Sequence, residues 1–191
     1  MKVLIVVDMQ NDFISGVLGT KEAESIVNNV WCKISEAHKL SEYKVVFTRD
    51  THHEHNYLET EEGKYIPKHC IFGTDGWRLH TDIEKLRDTD EDLVFNKELF
   101  GSFEMVEDFS DFYCDPYKDI IESVEIIGLC TDICVINNAL LCKSLPIFER
   151  VPIYVDASCC AGSTPQNHEK ALDVMESCLV HVVNRGSEPW K

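Results

Sequence analysis

The stretch Gly128-Leu129-Cys130-Thr131-Asp132-Ile133-Cys134-Val135 marks the point where a predicted strand turns into a predicted helix. The apolar run before it, Val124-Glu125-Ile126-Ile127, is typical of a buried strand, and residues 135–141 favour a helix. Open α/β sheets bind their ligands at the carboxyl ends of the strands. The sequence therefore predicts that Cys134 lies at that edge, in the first turn of a helix.

A cysteine at the start of a helix has the surroundings that a nucleophile needs. The free N–H groups and partial positive charge of a helix N-terminus favour a thiolate over a thiol. The same N–H groups can hold the oxyanion that forms when a thiolate attacks a carbonyl group. The alternative is that Cys134 is a buried structural cysteine. A base, a cation and a pocket elsewhere in the chain are needed to decide between the two.

The composition is that of an ordinary globular protein. The 191 residues are 44% hydrophobic and 27% charged, which suits a single domain over residues 1–191. The net charge of −16 argues against nucleic acid or an anionic membrane as partners, because both bind clustered lysine and arginine. No apolar run approaches the ~20 residues of a membrane span, and the N-terminal run is too short for a signal peptide. Nine cysteines without framework spacing predict reduced thiols and a cytoplasmic protein.

Strands and helices alternate along the chain. Apolar and β-branched runs predict six strands, at residues 3–7, 43–48, 93–95, 124–127, 151–155 and 179–183. Helices are predicted at residues 21–40, 81–88, 135–141 and 165–177, with a partly helical acidic segment at 104–122 in which Pro116 starts a new turn. This alternation predicts a three-layer α/β fold, in which a six-stranded parallel sheet carries helices on both faces.

Two charged residues follow other predicted strands. Asp8 comes directly after the first strand, and Lys97 comes just after the third. Because parallel strands end at the same edge of a sheet, Asp8, Lys97 and Cys134 can converge. The lysine would stabilise a thiolate, and the carboxylate would take the thiol proton and later hand it to a leaving amine. Taken singly, Asp8 also fits a turn or capping residue, and Lys97 an exposed loop lysine.

The long segment 51–80 is rich in histidine and glutamate, as a functional loop often is. Asp50 and His52 are two residues apart, so in an extended chain they point the same way. With His69 and one glutamate they would form a set of two imidazoles and two carboxylates, which suits Zn²⁺, Fe²⁺ or Mn²⁺. The spacing alone is not a metal motif, and a solvated acidic loop is the alternative.

These segments together resemble the isochorismatase-like cysteine hydrolases, and within that family the nicotinamidase branch. Residues 128–135 are similar to the nucleophile segment of the family, residues 7–13 to its first strand end, and residues 97–103 to its lysine segment. Residues 50–52, with 67–70 and 73–74, resemble the metal loop that separates nicotinamidases from the metal-free branches. The resemblance covers most of the chain and implies the isochorismatase-like hydrolase fold.

The resemblance also implies roles for individual residues. It implies a catalytic triad of Asp8, Lys97 and Cys134. It implies an oxyanion hole made by the backbone amides of Cys130 and Cys134, with a non-proline cis peptide bond before Cys130. It implies that a divalent metal, zinc or else iron or manganese, binds the pyridine nitrogen of the substrate. The implied metal ligands are Asp50, His52, Glu62 and His69, and the implied walls of the substrate pocket are Phe13, Ile66 and Phe100.

Three positions leave alternatives open. Glu62 matches the fourth metal ligand best, seven residues before His69, but the ligand could also be Glu59, Glu61, His53 or His55. Ile66 stands where an aromatic wall is common in the family. Cys130 stands where another small or apolar residue is usual, and its spacing from Cys134 suggests a disulfide under oxidation.

The resemblance therefore implies the activity of a nicotinamidase, which converts nicotinamide to nicotinate and ammonia through a cysteine thioester as a step of NAD salvage. A second interpretation is another isochorismatase-family hydrolase that acts on a different small amide or on isochorismate. A third, of another class, is a non-catalytic metal-binding or thiol redox protein, which would have no need of both Asp8 and Lys97. We also expect that the protein binds a small amide as its substrate and that it forms a homo-oligomer.

Overall fold

Six parallel strands form the sheet of this protein, whose computed structural model describes residues 1–113 and 121–191. The strands are β1 (Lys2–Val7), β2 (Tyr43–Asp50), β3 (Leu93–Lys97), β4 (Ser123–Leu129), β5 (Ile153–Ala161) and β6 (His181–Val183). Their order in the sheet is β3-β2-β1-β4-β5-β6, and every pairing is parallel. The predicted six-stranded parallel sheet is confirmed.

Helices connect these strands. They are α1 (Asn11–Ile14), α2 (Lys21–Ala37), α3 (Thr81–Glu84), α4 (Phe103–Tyr113), α5 (Ile136–Lys143) and α6 (Pro165–Ser177). The two longest begin at threonine caps, because Thr20 and Thr164 accept hydrogen bonds from the backbone N–H groups of Ala23 and Asn167. Within the described part of the chain, no helix is long and apolar enough to cross a membrane.

The sheet separates two hydrophobic cores. Val3, Ile5 and Val7 of β1 pack in one core, with buried residues of α4, α5 and α6. Leu4 and Val6 face the opposite way, into a core that holds buried residues of α1, α2 and α3. Side chains alternate across a strand, so β1 must be apolar on both faces, as its unbroken apolar run predicts. The three-layer arrangement with helices on both faces is confirmed.

Several predicted boundaries are wrong. β5 continues to Ala161, six residues beyond the predicted end. The strand can include the polar Asp156 because this buried carboxylate is ion-paired with Lys33. The predicted helix at 81–88 ends at Glu84. The last strand begins at His181 rather than 179, because Leu179 has a φ of 63° and lies in the turn after α6. The predicted turn at Pro116 lies outside the described residues.

Candidate active site

The carboxyl ends of four adjacent strands supply the predicted site. Asp8 directly follows β1, and Asp50 and Lys97 are the last residues of β2 and β3. Cys134 lies in a single wide helical turn, Thr131–Val135, that leads from β4 into α5. Because β3, β2, β1 and β4 are consecutive neighbours in the sheet, these four side chains meet at one edge.

Lys97 contacts both other members of the predicted triad. Its Nζ lies 2.7 Å from Asp8 Oδ2 and 3.4 Å from Cys134 Sγ. The hydroxyl of Thr48 donates to Asp8 Oδ1 at 2.7 Å and holds the carboxylate from the other side. Asp8 is fully buried, and Lys97 and Cys134 are each only 4% exposed. Asp8 has a φ of 48°, in the left-handed region that a non-glycine residue enters at some energetic cost.

Burial governs the protonation of the three groups. It raises the pKa of the Cys134 thiol well above its usual range, although the charge of Lys97 opposes the shift. Burial also raises the pKa of Asp8, against the opposing charge of Lys97. Burial alone would lower the pKa of Lys97, but the negative charges of Asp8, Cys134 and Asp50 raise it. Burial therefore opposes the preference for a thiolate that the helix start predicts at Cys134, whereas the charge of Lys97 supports that preference.

A second cluster of side chains lies beside this triad. The ligand atoms of its four members lie within 4.8 Å of one another, and the members are Asp50, His52, Glu62 and His69. Asp50 Oδ2 is 3.0 Å from His52 Nε2 and 3.1 Å from His69 Nε2. Glu62 approaches the same two nitrogens, at 3.7 Å and 3.4 Å. The structure thus brings together the four residues that the resemblance implied as metal ligands.

The hydrogen bonds of the two histidines fit a metal site. His52 Nε2 is buried and lies 3.0 Å from Asp50 Oδ2, but among the described residues it makes no hydrogen bond of acceptable geometry, which is unusual for a buried polar atom. His69 Nδ1 contacts the carbonyl oxygen of Pro67 at 2.9 Å and the hydroxyl of Tyr57 at 3.1 Å, which leaves Nε2 facing the cluster. Both Nε2 atoms are therefore available as ligands, and with two carboxylates they form a set that suits zinc, iron or manganese.

The two carboxylates of the cluster also fit a cation. Burial would raise the pKa of Asp50, but the charge of Lys97 and the neighbouring imidazoles of His52 and His69 hold it below its usual range. Burial raises the pKa of Glu62, and the charge of Asp50 adds to the shift. The buried carboxylate of Asp50 and the partly buried carboxylate of Glu62 therefore repel one another across the cluster, and a divalent cation between them would relieve that repulsion.

Among the five candidates for the fourth ligand, Glu62 is the one that faces the cluster. Glu61 turns outward and pairs with Lys64 at 2.6 Å. His53 lies 3.8 Å from Glu98 at the surface. Glu59 and His55 do not contribute to the cluster that the described residues form.

Two supporting residues escaped the sequence analysis. Gln10 makes two hydrogen bonds to the backbone of Asp50. Its Oε1 accepts from the Asp50 N–H at 2.7 Å, and its Nε2 donates to the Asp50 carbonyl at 2.8 Å. The same Nε2 donates to the carbonyl of Trp77 at 2.8 Å. Tyr57 is fully buried and contacts His69 from behind. The one signal for Gln10 was its position two residues after Asp8, at a strand end.

A cavity of about 320 Å³ opens onto both groups of side chains. Cys130 and Cys134 line it on one side, and Asp50, Glu62 and His69 line it on another. The three predicted wall residues line it as well, together with residues that were not predicted: Phe13, Ile66 and Phe100, then Leu18, Tyr65, Pro67, Ile133 and Ser163. Such a cavity, apolar with a few polar groups, suits a small ring that carries one polar substituent.

The backbone around Cys130 has the predicted form. The Leu129–Cys130 peptide bond is cis. The preceding Gly128 has a φ of 115°, and a Cβ there would lie only 2.1 Å from the carbonyl oxygen of Val7, so only glycine fits. The Cys130 carbonyl accepts from the N–H groups of Ile133 and Val135. Cys130 and Cys134 are free thiols in the structure, and their disulfide stays a prediction.

Comparison with known proteins agrees with this architecture. The chain is 25% identical to the nicotinamidase of Saccharomyces cerevisiae, over 97% of this chain and 100% of that protein. It is 26% identical to the nicotinamidase/pyrazinamidase of Mycobacterium tuberculosis, over 96% of this chain and 98% of that one. The crystal structure of the pyrazinamidase of Pyrococcus horikoshii in complex with zinc matches with a TM-score of 0.77 and 26% identity, over 95% of this chain and 98% of that chain. The isochorismatase domain matches residues 2–187, and the chain belongs to that family.

Proposed function

We propose that this protein is a nicotinamidase, a hydrolase that cleaves the carboxamide C–N bond of nicotinamide to give nicotinate and ammonia. One observation carries the proposal. Buried Lys97 contacts both Asp8 and Cys134, and Cys134 lines the same ring-sized cavity as three of the four clustered metal-ligand side chains, Asp50, Glu62 and His69. The relatives named nicotinamidase and pyrazinamidase support the choice of a small aromatic amide.

The reaction begins with Cys134 Sγ attacking the carboxamide carbon. Asp8, whose raised pKa makes it a competent base, takes the thiol proton as the S–C bond forms. Lys97 lies against both groups and offsets the negative charge that passes between them. The backbone N–H groups of Cys130 and Cys134 hold the oxyanion of the tetrahedral intermediate.

The intermediate collapses by breaking the C–N bond. Asp8 gives its proton to the departing nitrogen, which leaves as ammonia, and Cys134 keeps the acyl group as a thioester. Asp8 then takes a proton from water as the water oxygen attacks the thioester carbon. The C–S bond breaks, nicotinic acid forms, and the proton returns from Asp8 to the sulfur. In solution the acid gives its proton to the released ammonia, so the products are nicotinate and ammonium. Atoms and protons balance, and the enzyme regains its starting state.

Asp50, His52, Glu62 and His69 would hold a divalent metal ion, which we propose to be zinc, with iron or manganese as alternatives. When bound, the ion supplies a Lewis-acid partner for the pyridine nitrogen of the substrate. Phe13, Ile66 and Phe100 wall the cavity and confine the plane of the ring. The carboxamide is thereby directed toward Cys134.

The experiment is a measurement of ammonia release from nicotinamide by the purified protein, before and after chelation. We expect turnover that chelation abolishes and that zinc, iron or manganese restores. His52→Ala removes a proposed ligand, and His53→Ala is its matched control because His53 lies outside the cluster. The first variant should lose bound metal and turnover, whereas the control should keep both. Absence of turnover of nicotinamide and pyrazinamide with all three metals would contradict the proposed substrate.

A further inference from the structure

We propose that Glu188, His168 and Thr131 form a buried hydrogen-bond relay that positions the nucleophile loop, defined here as Cys130–Val135. This inference rests on the proposed function, because it concerns how that reaction keeps its nucleophile and oxyanion donors in place. Neither His168 nor Glu188 lines the cavity. Both are therefore positioning residues that act through Thr131.

The relay crosses the interior between three parts of the chain. Thr131 Oγ1 lies 2.8 Å from His168 Nδ1 on α6. His168 Nε2 lies 3.3 Å from Glu188 Oε1 near the C-terminus. Thr131 and His168 are fully buried, and Glu188 is 3% exposed. The other carboxylate oxygen of Glu188 accepts from the Gly186 N–H at 2.8 Å and pairs with Lys191 at 2.9 Å.

The chemistry of the three groups determines which atom donates each hydrogen bond of the relay. A carboxylate can only accept, so His168 Nε2 carries the hydrogen and donates it to Glu188. His168 Nδ1 is then a lone pair that accepts from the Thr131 hydroxyl. Burial lowers the pKa of His168, although Glu188 opposes the shift, which favours this neutral imidazole. The Thr131 hydroxyl is thereby held toward α6 and away from the cavity.

A second attachment lies next to the relay. Asp132 accepts from the N–H and the hydroxyl of Ser163, at 2.7 Å and 2.5 Å. A Cβ at Gly162 would lie 2.9 Å from Asp132 Oδ1 and 2.8 Å from the backbone nitrogen of His168. The nucleophile loop, the end of β5 and the start of α6 are thus packed without room for another side chain. The loop is fixed at two consecutive residues, by His168 and by Ser163.

These attachments bear directly on the reacting atoms. Thr131 follows Cys130, which supplies one proposed oxyanion donor, and precedes Cys134 by three residues. A shift of Thr131 therefore moves both the donors and the sulfur relative to Lys97. A misplacement of about 1 Å in an active site can cost about 100-fold in rate. Loss of the relay should lower kcat more than it changes KM.

The test compares two substitutions of Thr131 in the metal-loaded protein. Thr131→Val removes the hydroxyl and keeps the shape, and it should lower kcat about 100-fold with KM changed by less than about 3-fold. Thr131→Ser keeps the hydroxyl and should recover most of that loss. Glu188→Gln leaves His168 with an amide partner, and its kcat should lie between those of Thr131→Val and Thr131→Ser. Equal kcat for Thr131→Val and wild type would overturn the relay.

A second readout does not depend on turnover. The rate at which iodoacetamide alkylates Cys134, mapped by peptide mass spectrometry, should fall about 3-fold or more in Thr131→Val and recover in Thr131→Ser. If the wild type hydrolyses no amide, the proposed function fails while this rate still tests the relay. An alkylation rate in Thr131→Val that equals that of the wild type would then overturn it.

Arg185→Gln is the matched control for the C-terminal segment. Arg185 pairs at the surface with Glu169, Asp173 and Glu176 and does not contact the relay. This substitution should lower the melting temperature and leave kcat unchanged. A loss of kcat in Arg185→Gln as large as that in Thr131→Val would mean that the segment stabilises only the fold, and the relay would be rejected.

Discussion

Asp50 links the metal-ligand cluster to Lys97. Its Oδ1 lies 3.3 Å from Lys97 Nζ, whereas its Oδ2 lies 3.0 Å from His52 and 3.1 Å from His69. One oxygen of the Asp50 carboxylate therefore faces the ammonium group of Lys97, and the other oxygen faces the two imidazoles. Because the same ammonium group contacts Cys134, the charge of the cluster and the charge at the Cys134 sulfur are coupled through Asp50 and Lys97.

This link predicts that Asp50→Asn and Glu62→Gln differ, although each removes one carboxylate from the cluster. Both should weaken metal binding by about 10-fold or more. At saturating metal, Glu62→Gln should regain most of its kcat, whereas Asp50→Asn should stay about 100-fold low because Lys97 has lost a charged partner. Competition with a metal indicator gives the affinity, and ammonia release gives kcat. Equal recovery of the two variants would argue against the link.

Tyr57→Phe tests the support behind His69. The substitution removes the hydroxyl that lies 3.1 Å from His69 Nδ1, and the affinity for metal should fall by about 10-fold. Tyr154→Phe is the control, because Tyr154 lies on β5 away from the cluster. Isothermal titration of both variants with zinc measures the effect. Unchanged affinity in Tyr57→Phe would show that Pro67 alone orients His69.

Gln10→Ala should destabilise the fold. The substitution leaves the buried N–H and carbonyl of Asp50 and the carbonyl of Trp77 without their partner. The free energy of unfolding should fall by about 3 kcal/mol, since each unpaired buried group carries a desolvation cost. Urea unfolding of the metal-free protein measures it. A change below about 0.5 kcal/mol would mean that water replaces the side chain.

The ion pair between Lys33 and Asp156 should make stability depend on pH. Burial would raise the pKa of Asp156, but hydrogen bonds from Lys33, Ser158 and Asn184 hold it below its usual range. A carboxyl group with a lowered folded-state pKa contributes stability above its unfolded value of about 3.9, and that contribution is lost as the pH falls through the folded value. The gap in unfolding free energy between wild type and Asp156→Asn should therefore narrow between about pH 5 and about pH 3. Urea unfolding at each pH measures the gap, and a constant gap would contradict the assignment.

The fold and the convergence of Asp8, Lys97 and Cys134 were predictable because both depend on where the strands end. Asp8, Lys97 and Cys134 each follow an apolar run, and a parallel sheet brings such positions to one edge whatever the loops do. Gln10, Tyr57 and His168 were not predictable on that basis. Their partners lie 12 to 67 residues away, and each contact depends on how a loop or helix packs over the sheet.

The fourth metal ligand shows the same limit on a smaller scale. Glu59, Glu61 and Glu62 lie in a segment of short helical turns, Tyr57–Glu59 and Glu62–Lys64, that has no apolar periodicity to indicate an inner face. Only the path of the chain decides that Glu62 points inward while Glu61 pairs with Lys64. The segment 128–135, by contrast, contains a residue that constrains the backbone locally, because Gly128 has a φ of 115° and leaves no room for a Cβ.

The most direct test of the central claim is ammonia release from nicotinamide by metal-loaded wild type, Cys134→Ala and Asp8→Asn. Cys178→Ala is the control, because Cys178 is an exposed free cysteine outside the cavity. We predict that both site variants keep their metal and lose turnover by about 10⁴-fold or more, while the control matches the wild type. Wild-type turnover in Cys134→Ala would contradict the claim that this protein hydrolyses amides through a thioester on Cys134.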